Sequence, residues 1–423
     1  MNEKPHSAPD WQKEIYLGGF AGKRSSVKIS FQLLEQEARK KMSEQAFAYI
    51  AGGAGNESTM NANQAAFEKW KIIPRMLRNV SERDTSVELF GQKIPSPVLF
   101  SPVGVLEMVH PEADLAVAKA AAQLGLPYIF SNQASKPMEV CAQSMGDRPR
   151  WFQLYWSKSN ELVQSLVQRA ERCGCTALVV TLDTTLLGWR TRDLDLAYLP
   201  FLEGKGIAQY TSDPVFQKLL DEPDESEPVK RKVTLQSIQG LISMTKNYPG
   251  NNFFKKLASG RPLKAVRKFV SIYSNPATTW EDLAWLRQQT KLPILLKGIL
   301  HSDDARKAMD AGMNGIIISN HGGRQVDGSI ATLDALPKIA EVVQSKIPVL
   351  LDSGVRGGAD IFKALALGAR AVCIGRPYVY GLTLAGSAGV YEVMQNLVAD
   401  FELTMGLSGC KDISEINQTA LSR

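Results

Sequence analysis

The stretch IIISNHGGRQ, residues 316–325, has the composition of a buried strand that ends in reactive side chains. Its run of isoleucines favours a short strand inside a core, and the glycine pair then turns the chain away. His321 can accept a proton near neutral pH, and Arg324 can hold a carboxylate through paired hydrogen bonds. Together these side chains indicate oxidation of a small hydroxy acid, provided that the chain also binds an electron acceptor.

The same pattern, a short apolar run with a polar end, recurs along the chain. Helical periodicity separates the runs, for example over 160–172 and 359–367. Such repeated strand–helix units predict a closed (β/α)8 TIM barrel, an α/β fold with catalytic groups at the C-terminal ends of its strands. A doubly wound sheet would need a G-x-G-x-x-G turn after its first strand, and Pro102-Val103-Gly104 is not one. The eight predicted strands are 97–101, 128–131, 151–155, 177–183, 293–297, 315–319, 348–352 and 371–375.

The barrel is predicted to carry an N-terminal helical extension and a long insertion after strand 4. A helix over 31–50 is stopped by Gly52-Gly53, and Ser302 is expected to be the N-cap of a later helix. Because a long structureless loop is uncommon, helices are expected inside the insertion over 233–245 and 263–272. The predicted segments of this single catalytic domain are 1–92 for the extension, 93–183 for barrel units 1–4, 184–279 for a lid-like insertion, and 280–423 for barrel units 5–8 with a C-terminal helix.

Composition argues against a membrane span and for a reducing compartment. The first 30 residues lack the apolar core of a signal peptide, and no run reaches the roughly 18 apolar residues of a membrane helix. Four histidines without clustered ligands predict no metal site. An odd number of cysteines without a C-x-x-C pair predicts reduced thiols in a cytoplasm. The five cysteines are Cys141, Cys173, Cys175, Cys373 and Cys410.

The net charge of +6 is unevenly distributed within the insertion. Residues 221–227 carry five acids, and residues 229–268 carry ten lysines or arginines and no acid. A solvated surface segment, a subunit contact or lid, and nucleic-acid binding are the alternatives, in decreasing order of support. No recognition motif accompanies the charge, so we expect no nucleic-acid partner.

Polar side chains follow seven of the eight predicted strands, and strand 1 ends in Pro102-Val103-Gly104. A core strand has no structural need for such an end, so their coincidence on one barrel face indicates a site. The segments DSGVRGG (352–358) and IGRP (374–377) place glycine amides and guanidiniums after strands 7 and 8, where this fold commonly binds phosphate. A phosphate site beside Lys297 suits flavin mononucleotide (FMN). The strand-end residues are Gly104, Ser131, Gln153, Tyr155, Thr181, Asp183, Lys297, Ser319, His321, Arg324, Asp352, Ser353, Gly354, Gly375 and Arg376.

Several segments resemble the FMN-dependent α-hydroxy-acid oxidizing enzymes over about residues 31–416. The strand-6 segment is the most specific of them. Within that family the chain most resembles the lactate 2-monooxygenases. The segments are SNHGGRQVDG (319–328), LDSGVRGGADIFKALALGA (351–369), FQLY (152–155), TLDT (181–184), LPILLKGI (292–299), AYIAGGAGNE (48–57) and GWRTRDLD (188–195).

The resemblance implies a role for each matching residue. His321 would be the catalytic base, oriented by Asp183, and Lys297 would stabilise the reduced flavin. Tyr155 would hydrogen-bond the substrate hydroxyl. The other implied substrate-binding residues are Tyr49, Arg190, Arg324 and Gln133. The implied cofactor-binding residues are Pro102, Val103, Gly104, Ser131, Gln153, Thr181, Lys297, Ser319, Asp352, Gly354, Arg356, Gly375 and Arg376.

Two positions depart from the oxidases of this family. Those enzymes usually carry alanine at the position of Gly104, and glycolate oxidase carries tryptophan at the position of Gln133. We hypothesise that glycine at position 104 helps to retain the keto acid while oxygen reacts. The expected function is FMN-dependent oxidation of a short, lactate-like L-2-hydroxy acid by oxygen, with decarboxylation to the shortened acid, CO2 and water.

Three alternatives to that function remain. The first is an oxidase that releases keto acid and hydrogen peroxide. The second is a quinone-linked dehydrogenase associated with a membrane through the basic insertion, although membrane contact is not favoured. The third is a non-catalytic FMN protein, which the complete set of catalytic residues argues against. The resemblance also implies a homo-oligomer, a tetramer or octamer.

Overall fold

Eight parallel strands form a closed barrel in the computed structural model, which describes residues 7–222 and 234–423. The strands are hydrogen-bonded in chain order, and strand 8 pairs with strand 1 to close the barrel. Each predicted strand is confirmed, with ends that differ by up to two residues. In chain order the barrel strands 1–8 are Val98–Phe100, Tyr128–Phe130, Arg150–Tyr155, Leu178–Thr181, Ile294–Ile299, Gly315–Ile318, Val349–Asp352 and Ala371–Ile374.

Side-chain alternation along these strands produces an apolar layer with a polar layer above it. One buried cluster fills the barrel interior, and it includes Ile129, Trp151, Val179, Leu295, Ile317 and Leu350. Residues two positions apart in a strand point to the same side. The next inward-facing residues are therefore polar, and they are Ser131, Gln153, Thr181, Lys297, Ser319 and Asp352.

The helices that follow the strands pack around the barrel. Asn160–Arg172 is typical, because its apolar face is buried and Ser159 caps its first turn by accepting from the Leu162 N–H. The prediction for Ser302 was wrong. His301 is the N-cap, because its Nδ1 accepts from the Asp303 N–H at 3.1 Å and Ser302 is already helical. These helices are Asp114–Leu124, Met138–Met145, Asn160–Arg172, Asp282–Gln289, Ser302–Asp310, Thr332–Val343, Gly358–Ala366 and Arg376–Leu407.

The N-terminal extension is helical, but the predicted single helix over 31–50 was wrong. Met42 is extended there, and the Ser43 hydroxyl accepts from the Ala46 N–H at 3.2 Å and so begins a second helix. The hairpin Val87–Leu89 and Gln92–Ile94 packs on the apolar layer and covers the N-terminal end of the barrel. The helices of the extension are Ala8–Phe20, Phe31–Lys41, Glu44–Ala51 and Ser58–Glu68.

Short elements lie before and after strand 1 and near the C-terminus. Strand Lys71–Ile72 pairs antiparallel with Leu421–Ser422. The 3-10 helix Leu106–Met108 follows strand 1, and two more, Ile413–Glu415 and Gln418–Ala420, lie near the C-terminus.

The insertion between strands 4 and 5 is also helical. An aromatic cluster joins its two halves, since the Tyr210 and Phe269 ring centroids lie 4.8 Å apart. Both predicted insertion helices are present, although Val233 lies outside the described residues. The helices are Thr191–Asp195, Ala208–Thr211, Pro214–Leu219, Leu235–Asn247, Phe253–Ser259 and Arg261–Ile272, with the 3-10 helix Pro200–Glu203.

Two ion pairs join the acidic run of the insertion to its basic run. Asp221 pairs with Arg261 at 2.7 Å, and Glu222 pairs with Lys268 at 3.0 Å. The rest of the acidic run and the first three basic residues, 230–232, lie outside the described residues. Over 7–222 and 234–423, no helix has both the length and the apolar character needed to cross a membrane. The division of the chain into the four predicted segments stays a prediction.

Candidate active site

A cleft with about 1060 Å³ of empty space opens at the C-terminal rim of the barrel. Most of the predicted site residues line it. Four do not reach its surface, namely Gln153, Thr181, Asp183 and Ser319, and they lie among the side chains that support it. The predicted residues that line the cleft are Tyr49, Pro102, Val103, Gly104, Ser131, Gln133, Tyr155, Arg190, Lys297, His321, Arg324, Asp352, Gly354, Arg356, Gly375 and Arg376.

His321 is held by the carboxylate of Asp183. The two side chains meet at 2.7 Å between Nδ1 and Oδ1, and the Thr184 hydroxyl lies 3.1 Å from the same Nδ1. This contact occupies Nδ1 and leaves Nε2 as the ring nitrogen for other partners. Burial lowers the pKa of His321, with help from Lys297, and outweighs the opposing effect of Asp183. The imidazole is therefore mostly neutral at pH 7 and able to accept a proton.

His321 also has a strained backbone. Its φ is +59°, in the left-handed region that residues other than glycine rarely adopt. The Ser319 hydroxyl accepts from the His321 N–H at 3.0 Å and helps to hold this conformation. The turn directs the imidazole across the rim towards strand 4. Strain of this kind persists where surrounding contacts determine the conformation, which is common at functional sites.

Lys297 lies at the centre of the polar layer and is buried. Its Nζ donates to the Ser319 hydroxyl at 2.9 Å and lies 3.4 Å from Asp352 and 3.7 Å from Asp183. Burial acts to lower the pKa of Lys297, but the two carboxylates outweigh it and raise that pKa. Burial likewise acts to raise the pKa of Asp183, but Lys297 and His321 hold it below its usual range. Both groups are therefore charged at neutral pH.

A hydrogen-bonded chain of neutral side chains runs across strands 2 to 4. The Ser131 hydroxyl donates to the Gln153 side-chain oxygen at 3.2 Å, and the Gln153 amide donates to the Thr181 hydroxyl at 3.0 Å. These bonds fix the Gln153 amide beneath the cleft. A floor of this kind presents oriented dipoles and no net charge, which suits a polar, uncharged heterocycle.

Arg324 reaches the N-terminal extension. Its Nη1 donates to the carbonyls of Tyr49 and Gly52, the latter at 2.8 Å, and its guanidinium lies 4.9 Å from the centre of the Tyr49 ring. Arg190 approaches the same ring at 6.0 Å. Burial and the neighbouring Arg190 lower the pKa of Arg324 to about 9. An excess of positive charge in a buried place favours an anion such as a carboxylate.

A second cationic pair lies at the strand 7 and 8 end of the cleft. Burial and Arg376 lower the pKa of Arg356 to about 10, and burial also lowers the pKa of Arg376. Among the described residues, the buried Nε of Arg356 has no hydrogen-bond partner. Gly354 (φ +96°) and Gly375 lie beside this pair. A guanidinium with a spare donor, beside a second guanidinium and glycine backbone, fits a phosphate group, and together with the polar layer this end of the cleft fits FMN.

Some site residues were missed by sequence reasoning. Phe201 and Tyr273, which come from the insertion, line the cleft, and Thr184 contacts the Asp183–His321 pair. Thr184 could have been found, because it directly follows Asp183. Phe201 and Tyr273 had no local signal, since they are separated from every strand end and reach the cleft only because the insertion folds back over the barrel.

The fold and the cleft together define a flavin-binding barrel oxidoreductase. The model of the FMN-dependent dehydrogenase family matches residues 38–423, and the chain belongs to that family, whose cofactor is FMN. The chain is 42% identical over 393 residues to an L-lactate oxidase of Lysinibacillus sphaericus, covering 93% of this chain and 92% of that protein. It is 37% identical to human 2-hydroxyacid oxidase 1, covering 92% and 95% of the two chains.

Solved structures agree with this assignment. The crystal structure of a mandelate oxidase superposes with a TM-score of 0.75 at 33% sequence identity, covering 94% of this chain and 98% of that one. An FMN-dependent alpha-hydroxy acid dehydrogenase of Penicillium citrinum is 40% identical over 420 residues, 99% of this chain and 97% of that protein. The predicted family, barrel fold and FMN cofactor are thereby confirmed. The enzyme belongs to the oxidoreductases that carry out FMN-dependent 2-hydroxy acid oxidation.

Proposed function

We propose that this enzyme oxidises a short L-2-hydroxy acid such as L-lactate with molecular oxygen, and releases the shortened acid, CO2 and water. The observation that carries the proposal is the proximity of a neutral, carboxylate-held base, His321, to the cationic pair Arg190 and Arg324 in one cleft. A 2-hydroxy acid presents its carboxylate and its hydroxyl on neighbouring carbons. The cleft offers a cation for the first and a base for the second.

Arg324, Arg190 and Tyr49 would bind the substrate carboxylate. Tyr155 would hydrogen-bond the substrate hydroxyl, because burial raises its pKa to about 12 and keeps the phenol neutral at pH 7. Gln133, which is buried at the end of strand 2, would contact the substrate side chain. These contacts would fix the α-carbon and its hydroxyl relative to His321.

His321 would take one proton from the substrate, through its Nε2. The imidazolium that forms gains a charge-assisted hydrogen bond to Asp183 Oδ1, which is anionic at neutral pH. Burial keeps the imidazole neutral before the reaction, and Asp183 stabilises the imidazolium after proton transfer. The two effects therefore act at different stages. FMN supplies the acceptor for the two electrons that leave the substrate.

The residues that would hold FMN divide into two groups. Lys297 would place a positive charge against the ring, where negative charge develops on reduction. The ring and ribityl chain would be held by Pro102, Val103, Gly104, Ser131, Gln153, Thr181 and Ser319. The ribityl chain and phosphate would be held by Asp352, Gly354, Arg356, Gly375 and Arg376.

An oxidase that releases keto acid and hydrogen peroxide is a second candidate. The names of two relatives, L-lactate oxidase and 2-hydroxyacid oxidase 1, favour it. The two candidates differ only in whether the keto acid stays bound while peroxide is present. A membrane-associated, quinone-linked dehydrogenase is the remaining alternative from the sequence, and reoxidation by a quinone in place of air would identify it.

The proposal is tested by mixing the FMN-loaded enzyme with L-lactate without oxygen and then admitting air. Bleaching of the yellow flavin absorbance supports hydroxy-acid oxidation. Acetate with CO2 then supports the proposed monooxygenase, and pyruvate with hydrogen peroxide supports the oxidase. Failure to bleach with lactate, glycolate or mandelate would contradict the proposed function.

Gly104→Ala is expected to move the product towards pyruvate and free hydrogen peroxide. A methyl group built on Gly104 would lie 3.0 Å from the Gln133 carbonyl oxygen and 3.1 Å from its Cβ, closer than ordinary contact. Overpacking of this kind costs about 1–3 kcal/mol, enough to raise the ratio of peroxide to acetate about tenfold if it loosens the bound keto acid. Product analysis by chromatography with a peroxide assay measures this ratio.

The matched control for that variant is Gly19→Ala. A methyl group on Gly19 would meet nothing within 4 Å, and this residue lies in the N-terminal helix. It should leave the product ratio unchanged. An unchanged ratio in Gly104→Ala as well would remove Gly104 as the determinant of product fate.

We also propose that the enzyme is a cytoplasmic homo-oligomer, a tetramer or octamer. The resemblance to oligomeric flavoenzymes supports the assembly. All five cysteines stand as free thiols, which suits a reducing compartment. The proposed partners are the hydroxy acid and oxygen.

A further inference from the structure

We propose that Gln325 is a positioning residue that sets the orientation of Arg190 for the substrate carboxylate. The inference rests on the proposed function, because it assigns Arg190 to carboxylate binding. Gln325 follows Arg324 directly, and its side chain points to the turn after strand 4. It is not among the residues that line the cleft, so it would act through its neighbours.

Both ends of the Gln325 amide are engaged. The Nε2 donates to the carbonyls of Asp183 at 2.6 Å and Leu186 at 2.9 Å. The Oε1 accepts from the Gly188 N–H at 3.3 Å and from Arg190 Nη2 at 3.2 Å. This pattern fixes the amide orientation, because a flipped amide would set Oε1 against carbonyl oxygens and Nε2 against N–H donors.

The two turns that Gln325 joins are in backbone contact. A methyl group built on Gly188 would clash with the carbonyl oxygen of Arg324 and lie 2.8 Å from the Gln325 Cα. The turn after strand 4 is therefore pressed against the turn after strand 6. The Gln325 side chain adds hydrogen bonds to Leu186 and Gly188 in that turn, and Arg190 follows two residues later.

Arg190 depends on the strand 6 turn for its orientation. Its Nη2 donates to Gln325 Oε1, and its Nε donates to the Arg324 carbonyl at 3.3 Å. Arg190 is buried and lines the cleft beside Tyr49. A buried guanidinium held through two of its three nitrogens has one orientation, and its strength as an anion ligand depends on that orientation.

The Asp183–His321 pair has supports of its own. The Asp183 carboxylate contacts His321, Thr184 and Lys297. The Gln325 side chain meets Asp183 at its backbone carbonyl and not at its carboxylate. Loss of the Gln325 amide should therefore weaken carboxylate binding more than it slows proton transfer. A residue that merely stabilised the fold would instead lower the amount of FMN-loaded enzyme and leave KM unchanged.

The test compares Gln325→Met, Gln325→Glu and the control Val326→Ala, all in the FMN-loaded enzyme. Met keeps the length of the side chain without its hydrogen bonds, and Glu keeps an acceptor for Arg190 but adds a negative charge beside it. Val326 is exposed and neighbours Gln325 in sequence. The measurements are the dissociation constant of oxalate, a dicarboxylate that is not oxidised, from the flavin absorbance, and then KM and kcat for L-lactate.

Both Gln325 variants are expected to weaken oxalate binding about tenfold, and to raise KM to a similar extent, while kcat per bound FMN stays within about threefold. Val326→Ala should match the unaltered enzyme. Oxalate affinity that is unchanged in either folded Gln325 variant would overturn the inference, as would a loss confined to kcat or to FMN content. Oxalate binding needs no turnover, so its result stands apart from whether lactate is a substrate.

Discussion

A His321→Gln variant is expected to lose about 10²- to 10⁴-fold in kcat, the range that a positioned general base contributes. Glutamine preserves polarity but cannot accept the substrate proton at neutral pH. Asp183 would then remain as a buried carboxylate without its imidazole partner, still paired with Lys297. Stopped-flow measurement of flavin bleaching under anaerobic conditions isolates this step from reoxidation.

The control for that variant is His301→Asn, which keeps an N-cap on the helix Ser302–Asp310. The His301 side chain is exposed and does not line the cleft. This control variant should bleach at the unaltered rate. A His321→Gln variant that binds FMN and still bleaches within about threefold of the unaltered rate would remove His321 from the base role, since a base contributes at least about a hundredfold.

The pH dependence of the same step follows from the lowered pKa of His321. A base works in its deprotonated form, so kcat/KM should fall as the pH falls through the His321 pKa. Burial lowers that pKa from its ordinary value of 6.5, and the acidic limb should therefore lie below pH 6.5. An acidic limb above pH 6.5 would mean that Asp183 outweighs burial in the working enzyme.

An Arg324→Met variant is expected to lose about 30- to 1000-fold in kcat/KM, mainly through KM. This corresponds to about 2–4 kcal/mol, the cost of removing one partner of a buried, hydrogen-bonded ion pair. Methionine fills much of the same space without charge. The Tyr49 carbonyl would also lose the Arg324 donor, and the Gly52 carbonyl would keep its bond from Arg376, so the helix Glu44–Ala51 should be checked by thermal unfolding.

Arg306→Met is the matched control, because Arg306 is exposed and pairs with Asp303 in its own helix at 2.6 Å. Such a surface pair contributes at most about 1 kcal/mol, and kcat/KM should not change. If Arg324→Met kept its KM while losing kcat, the guanidinium would act on the reacting atoms and not on the carboxylate.

The barrel could be predicted from sequence because its determinants are local. Each strand is a short, largely apolar run, and the period of two places a polar residue above an apolar one, as in Leu295 with Lys297 or Ile317 with Ser319. Helix boundaries depend on less regular determinants. The break at Met42 and the cap at His301 depend on single hydrogen bonds that the hydrophobic pattern does not encode.

The site was predictable to the extent that it belongs to the strand ends. Lys297, Ser319 and Asp352 needed only the barrel and the alternation to meet in one layer, and His321 follows shortly after strand 6. Phe201 and Tyr273 were not predictable in this way, because the insertion that carries them reaches the cleft through contacts such as the Tyr210–Phe269 pair. Contacts between residues so distant in sequence follow from tertiary packing and leave no periodic signal.

The sequence by itself therefore determined the barrel, the polar layer and the cationic residues Arg324, Arg356 and Arg376, since each depends on residues spaced at intervals of two within a strand or grouped after its end. Only the tertiary structure decided how the turns join. The Gln325 amide, the Gly188 contact and the Tyr49 carbonyl all connect segments more than 130 residues apart. Closure of the barrel brings those segments together, and hydrogen-bond geometry then selects their partners.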